Sequence, residues 1–296
     1  MGFGPMDAMI TRFAPSPTGR LHLGHAFSAI QAHDAARAVS GRFLLRIEDI
    51  DGTRSRADFI AGIEEDLAWL GLAWDGPVVR QSERLERYAA ALARLRDDSL
   101  LYPCFCTRAD IAREIADSAA APHHGPDGAL YPGTCRHLPA AEAERRIATG
   151  EPHAWRLAMN AATARAGPLR WTDLDAGEQR ADPQAFGDVV LARKDAPASY
   201  HLAVTVDDAA QGVTMVVRGV DLMRVTDIHR LLQALLGLPT PLYRHHRLLT
   251  GPDGERLAKR HGAPSLAGLR AAGQDGAALA ALLRAGRLPT SGGGVP

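Results

Sequence analysis

RFAPSPTGRLHLGHAFSAI, residues 12–30, reads as the end of an extended apolar strand, a loop broken by Pro15, Pro17 and Gly19, and the start of a helix with His22 and His25 at its mouth. The strand begins at Met9, the Ala-rich helix stops near Gly41, and a second strand follows over Phe43–Ile47. Strand, loop, helix and strand in this order make a βαβ unit, whose loop lies at the carboxyl end of the first strand and beside the helix N-terminus. Exposed N–H groups and the positive end of the helix dipole suit phosphate there. The two imidazoles would add hydrogen bonds to a phosphorus centre under attack. The loop carries neither GxxxxGK[ST] nor GxGxxG, so it is neither a Walker loop nor a dinucleotide fingerprint.

The chain has 296 residues, 46% of them hydrophobic, enough to bury one large core or two modest ones. No run approaches the roughly 18 consecutive apolar residues of a membrane span. Met1–Asp7 has neither the basic nor the apolar region of a secretory signal, so a cytoplasmic protein without a membrane partner is expected. Lys+Arg and Asp+Glu balance at 34 each, so net charge neither advertises nor excludes a nucleic-acid partner. Lys194 and Lys259 are the sole lysines, which makes each an informative choice in an arginine-biased chain.

Cys104, Cys106 and Cys135 cannot complete a disulfide framework, and a cytoplasmic chain would keep them reduced. Cys-x-Cys places two thiolates on one turn, and Cys135 returns a third across a loop rich in His and Gly. Zinc takes four ligands. His123, His124 and Tyr131 are the candidates for the fourth, and generic ligand chemistry favours histidine. Three small buried hydrophobes without a metal are the alternative.

Further along, Glu48-Asp49-Ile50-Asp51 sets carboxylates at a strand's C-terminal end, where one could hold an amino group and Asp51 could equally cap the next helix. Asp58–Leu70 reads as an amphipathic helix stopped by Gly71, with Trp69 in the core, and Gln81–Leu95 as a helix starting at Ser82. Residues 103–187 break the βα rhythm and read as an insertion, with a helix around Ala140–Thr149. Tyr200–Val206 and Val213–Val217 read as strands, Thr226–Leu236 as a helix closed by Gly237, and the region past Gly251 as short and helical.

PSPTGRLHLGH, residues 15–25, resembles the HIGH signature of the class I aminoacyl-tRNA synthetases, and the preceding Arg12-Phe13-Ala14 resembles their glutamyl branch. The resemblance implies an α/β fold: a Rossmann-like nucleotide-binding domain, an inserted zinc-bearing subdomain and a short C-terminal helical segment. It implies residues 1–102 and 188–245 as the two halves of the catalytic domain and 103–187 as the insertion that meets tRNA. Residues 246–296 would then be a KMSKS-like loop and a short helical end without an anticodon-binding domain. Tyr131-Pro-Gly-Thr-Cys135 resembles the family's YxxxC, which implies one structural zinc on Cys104, Cys106, Tyr131 and Cys135.

By the same resemblance Arg12, Phe13, Ala14, Pro15, Ser16, Glu48, Tyr200 and Arg218 line a glutamate pocket, with Glu48 on the α-ammonium and Arg218 on the side-chain carboxylate. A guanidinium fork suits that task, because two parallel hydrogen bonds match both charge and shape. His22, Gly24, His25 and Lys259 would hold ATP with Mg²⁺, and His22, His25 and Lys259 would be catalytic. Lys259 lies in GERLAKRHG, where Arg256 and Ala258 replace the first lysine and the serine of KMSKS. Slower adenylate formation is therefore expected.

Only 35 residues follow His261, and this shortness resembles the glutamyl-Q branch, which moves activated L-glutamate onto queuosine in the anticodon loop of tRNA(Asp). A monomer is expected. Two other readings predict different behaviour: a truncated synthetase that charges tRNA(Glu), and a non-catalytic module that binds glutamate or tRNA.

Overall fold

The computed structural model describes residues 8–117, 124–126, 128–250 and 264–289. The first half runs β1 (Ile10–Phe13), α1 (Leu23–Arg37), β2 (Arg42–Ile47), α2 (Ala57–Trp69), β3 (Val79–Arg80) and α3 (Leu85–Asp97). A middle region follows with β4 (Leu101–Cys104), α4 (Arg108–Asp117), β5 (His124–Gly125), β6 (Gly128–Ala129), α5 (Ala140–Ala148), β7 (Ala154–Leu157), α6 (Met159–Ala166), β8 (Arg170–Asp173), β9 (Gly177–Arg180) and β10 (Val190–Ala192). The last part holds α7 (Tyr200–Ala210), β11 (Met215–Gly219), α8 (Thr226–Leu236), β12 (Leu242–His246), α9 (Leu266–Ala271) and α10 (Gly276–Arg284).

β1, β2 and β3 pair in parallel, as do β11 and β12. The Thr214 N–H donates to the Ile10 carbonyl at 3.0 Å, and Thr214 Oγ1 accepts the Ile10 N–H at 2.8 Å, so β11 begins beside β1 on the side away from β2. The strand order therefore reverses at β1, and ligands of open α/β sheets bind in the crevice such a reversal leaves at the strands' carboxyl ends. α1 buries Leu23, Ala26, Phe27, Ala29 and Ile30 against these strands, and its outer side takes α10 through paired Arg284–Asp34 bonds of 2.7 and 2.9 Å. Gly237 closes α8 in the left-handed conformation, at φ 61°, as the sequence predicts.

Four local readings are corrected. Tyr200–Val206 is the start of helix α7, not a strand, and Ser199 Oγ caps it by accepting the Leu202 N–H at 3.5 Å. The β-branched run Val204-Thr205-Val206 imitates a strand, but α7 buries Leu202, Ala203, Val204, Thr205, Asp207 and Asp208, so no one-sided pattern marks it as helical. Ser82 does not start α3: it sits in a 3₁₀ turn, Gln81–Glu83, and its N–H and hydroxyl donate to Asp49 at 2.9 and 2.8 Å. Asp51 does not cap α2, because its carboxylate turns back to accept from Thr53. The sheets also cross the boundaries expected at 103 and 187. β4, β7 and β10 form one antiparallel sheet, whereas β8 leaves the middle region to pair with β12. Burial explains that docking: Trp171 of β8 is 4% exposed, packs on Tyr243, and donates its indole N–H to Asp227 at 2.8 Å.

Among the described residues no helix is long and apolar enough to cross a membrane.

Candidate active site and metal centre

A pocket of about 500 Å³ opens at the carboxyl ends of β1 and β11, beside the N-terminus of α1. Arg12, Phe13, Ala14, Pro15, Ser16, His22, Gly24, His25, Glu48, Tyr200 and Arg218 all line it. Lys259, with the rest of the RLAKR loop, lies outside the described residues.

His22 is the N-cap of α1, and its Nδ1 accepts the Gly24 N–H at 3.1 Å. His25 Nδ1 returns the favour, accepting the His22 N–H at 3.2 Å, which completes a reciprocal capping box. An imidazole that accepts on Nδ1 keeps its proton on Nε2, so the two rings, 3.8 Å apart, are set by the backbone as Nε2–H donors beside a helix N-terminus. Gly24 lets the ring pack close: a Cβ there would meet His22 Cε1 at 3.0 Å, a tight contact.

The β1–β2 side of the pocket rests on a buried charge network. Arg12 Nε donates to Asp208 at 3.0 Å, Arg46 Nη1 donates to the same oxygen at 2.7 Å, and Arg46 Nη2 reaches Glu48 at 3.3 Å. Asp207 accepts from Gln81, Arg84 and Tyr88 at 2.9, 2.7 and 2.7 Å. The Glu48 N–H donates to the Pro15 carbonyl at 3.0 Å, tying this acid to the HLGH loop. Burial raises the Glu48 pKa in spite of Arg46 and Arg12, so an arriving ammonium ion would favour its charged form. Asp208 goes the other way: burial would raise it, but Arg12 and Arg46 hold it below the usual carboxylate range.

The β11–β12 side differs. Arg218 is 5% exposed, and its partners are His245 Nε2 at 3.1 Å, Thr226 Oγ1 at 2.6 Å, His229 Nδ1 at 3.2 Å and the Tyr200 hydroxyl at 3.4 Å. No carboxylate pairs with it among the described residues, which rules out the ion pair with Asp221 that a surface arginine would make there. Burial, with Arg218 alongside, lowers His245 and His201 to about 4 and takes His229 well below the ordinary histidine value. Arg218 thus keeps its positive charge inside a shell of neutral groups.

Sequence reading missed Ser28 and His246, which line the same pocket and lie 2.6 Å apart. It also missed Asp207, Asp208, Thr226, His229 and His245. The pairs Asp207-Asp208, which close an apolar run, and His245-His246 were the available signal.

The metal candidates sit in a separate buried cluster. The sulfurs of Cys104, Cys106 and Cys135 lie within 4.8 Å of one another, so the three cysteines can hold a metal ion. Cys106 Sγ is 3.4 Å from Cys135 Sγ and 3.5 Å from the Tyr131 hydroxyl, near the edge of about 3.8 Å expected between tetrahedral zinc thiolates. Tyr131 Oη also accepts the Cys135 N–H at 2.8 Å. Burial alone would raise Cys135, but the Tyr131 hydroxyl and the N–H groups of Phe105 and Cys106 lower it toward thiolate, whereas burial pushes Cys106 up to about 11. Three clustered sulfurs with a phenol oxygen beside two of these cysteines are a donor set that could serve a four-ligand metal. His123 lies outside the described residues, and of His124 only the backbone is described.

Residues 8–290 match the family model of tRNA synthetases class I (E and Q), catalytic domain. The glutamyl-Q tRNA(Asp) synthetase of Rhodobacter capsulatus is 50% identical, covering 93% of this chain and 99% of its own. That of Symbiobacterium thermophilum is 49% identical, covering 88% and 81%. Among solved structures, the glutamate-tRNA synthetase of Elizabethkingia anophelis superposes with a TM-score of 0.79 at 26% identity over 94% of this chain. The chain spans 61% of the length of that structure. Family model and relatives agree: the chain belongs to the class I tRNA synthetases of the E and Q type, in the branch of the glutamyl-Q tRNA(Asp) synthetases.

Proposed function

We propose that this chain activates L-glutamate with ATP, forming glutamyl-adenylate and pyrophosphate, and transfers the glutamyl group to queuosine in the anticodon loop of tRNA(Asp). The observation that carries the first step is Arg218, a buried guanidinium whose partners among the described residues are all neutral. A side-chain carboxylate neutralises it, whereas glutamine would turn an amide N–H toward a donor. Glu48 takes the α-ammonium, with Tyr200 and the Arg12–Ser16 loop completing the glutamate pocket. The substrate α-carboxylate then attacks the α-phosphorus of ATP, and the P–O bond to pyrophosphate breaks. His22 and His25 donate from Nε2 to phosphate oxygens, and Lys259 meets the charge that develops on the leaving group. Mg²⁺ would accompany ATP and offset the charge of its phosphates. No covalent enzyme intermediate is involved, so catalysis is positioning plus charge stabilisation.

Zinc is the metal proposed for Cys104, Cys106, Tyr131 and Cys135, in a structural role that ties the end of β4 to the Tyr131–Cys135 segment within the middle region. The acceptor nucleoside is inferred from the relatives' names, and the protein is proposed to act as a cytoplasmic monomer. The test is glutamate-dependent ATP–pyrophosphate exchange without tRNA, followed by glutamate transfer to tRNA(Asp) with and without queuosine, and to tRNA(Glu). Exchange without tRNA and transfer only to queuosine-bearing tRNA(Asp) are expected. Charging of tRNA(Glu) would replace the proposed acceptor, and absence of both reactions would mean a binding module. Lys259→Ala is expected to slow adenylate formation about tenfold or more.

A further inference from the structure

Arg218 and His245 are register partners on the parallel strands β11 and β12. The Arg218 Nε–H donates to His245 Nε2 at 3.1 Å, and His245 Nδ1 lies 2.7 Å from Asp173 Oδ2 on β8. An imidazole that accepts on Nε2 carries its single proton on Nδ1 and donates it to the acid, so this ring is neutral and its tautomer is fixed. Asp173 is 1% exposed, and its other oxygen accepts the N–H groups of Asp175 and Ala176, both at 2.9 Å. It also accepts the His245 backbone N–H at 3.0 Å. The acid is tied down from both ends and does not swing across to Arg218.

We infer that Asp173 and His245 are positioning residues that set the pocket's preference for an anionic over an amide side chain, by holding Arg218 through a neutral acceptor that leaves its charge for the substrate. The inference rests on Arg218 reading the glutamate carboxylate. A carboxylate in place of His245 would anchor Arg218 equally well and cancel its charge, and the pocket would then accept glutamine as readily as glutamate. The interposed ring separates anchoring from neutralisation. His229 repeats the neutral acceptor without the acid: its Nδ1 lies 3.2 Å from Arg218, and its buried Nε2 has no hydrogen-bond partner among the described residues. An orphaned donor is a destabilising feature, retained here where it keeps the arginine among uncharged groups.

In Asp173→Asn the amide N–H faces His245, drives the ring proton to Nε2 and sets it against the Arg218 Nε–H. The KM for glutamate should rise about 10- to 100-fold, the KM for ATP should stay within about twofold, and the preference for glutamate over glutamine in pyrophosphate exchange should fall with the first. His245→Gln keeps an acceptor for Arg218 without a tautomer to set. It should retain most of the selectivity, and adding Asp173→Asn to it should have little further effect, a coupling read from the double-mutant cycle. Unchanged glutamate selectivity in Asp173→Asn, with or without a lower melting temperature, would overturn the inference. So would equal losses for glutamate and ATP. Arg218→Ala separates the two levels: if glutamate KM is unchanged there, the carboxylate reading itself fails, whereas its loss there with a normal Asp173→Asn overturns only the positioning pair.

Discussion

Arg46 and Arg218 are buried arginines on opposite sides of one pocket, and their surroundings are opposite. Arg46 is fully buried among three carboxylates: Asp208 at 2.7 Å, Glu48 at 3.3 Å and Asp207 at 4.0 Å. Burial alone would weaken its hold on the proton, and Asp208, Glu48 and Asp207 more than reverse that. Arg218 has a hydroxyl, a phenol and two neutral imidazoles. An arginine whose charge is consumed inside the protein supports the site, and one whose charge is left over marks where an anion binds. Asp66 is a third case: it has no exposed side-chain surface, neither oxygen has a hydrogen-bond partner among the described residues, and the Arg270 guanidinium lies 3.4 Å away.

The strongest way to break this comparison is Arg218→Ala. Glutamate-dependent turnover should fall by about 10³-fold or more, as when one member of a buried charge pair is truncated, while ATP binding by calorimetry stays within about twofold. Stability should change little, because no internal carboxylate loses a partner. Arg46→Ala should do the reverse, lowering the unfolding free energy in urea by about 3–5 kcal/mol by stranding buried acids. Equal stability losses in the two variants would erase the distinction drawn between them.

The metal cluster sharpens the contrast from further away. Metal analysis should find about one zinc per chain, and Cys104→Ser should abolish binding while adenylate formation stays within about tenfold, since the cluster does not line the glutamate pocket. A folded, active, metal-free preparation would refute the zinc assignment.

Asp66 should give the smallest effect. Burial raises its carboxyl to about 6 from 3.8, despite Arg270 and Arg20. The folded state therefore holds the extra proton between those values, and stability falls as pH rises through that window. Asp66→Asn should remove this dependence and raise stability at pH 7 by about 1–3 kcal/mol, measured by thermal melts at pH 4 and pH 7. A flat pH response in the unmodified protein would show that Arg270 already pairs with Asp66 as Arg46 pairs with Asp208.

The residues most legible in the chain are those whose geometry is local. Arg12–Ile30 contains its own strand, loop and helix, and its His22–His25 capping box spans one helical turn, so a reader of the sequence can place all of it. Thr226–Leu236 with Gly237 is legible for the same reason. Tyr200–Val206 is not, because its apolar residues run consecutively from Leu202 to Val204 and the β-branched Val204-Thr205-Val206 tips the reading toward strand. β8 escapes as well: its place beside β12 depends on Trp171 finding Tyr243 and Asp227, far away in the chain.

By itself the sequence determined the βαβ nucleotide unit and the family the chain resembles, because each is written in a short contiguous run whose chemistry does not wait for packing, and that resemblance named the HLGH donors and the Cys-x-Cys and Tyr-x₃-Cys ligands as candidates. Only the tertiary structure decided which charges survive inside the molecule. Arg46 and Arg218 are indistinguishable as letters. The parallel register that sets Arg218 beside His245, and the docking of β8 that brings Asp173 behind it, leave one arginine charged toward the pocket. The meeting of β2 with α7 neutralises the other, because the energy of a buried charge depends on which groups arrive around it from distant parts of the chain.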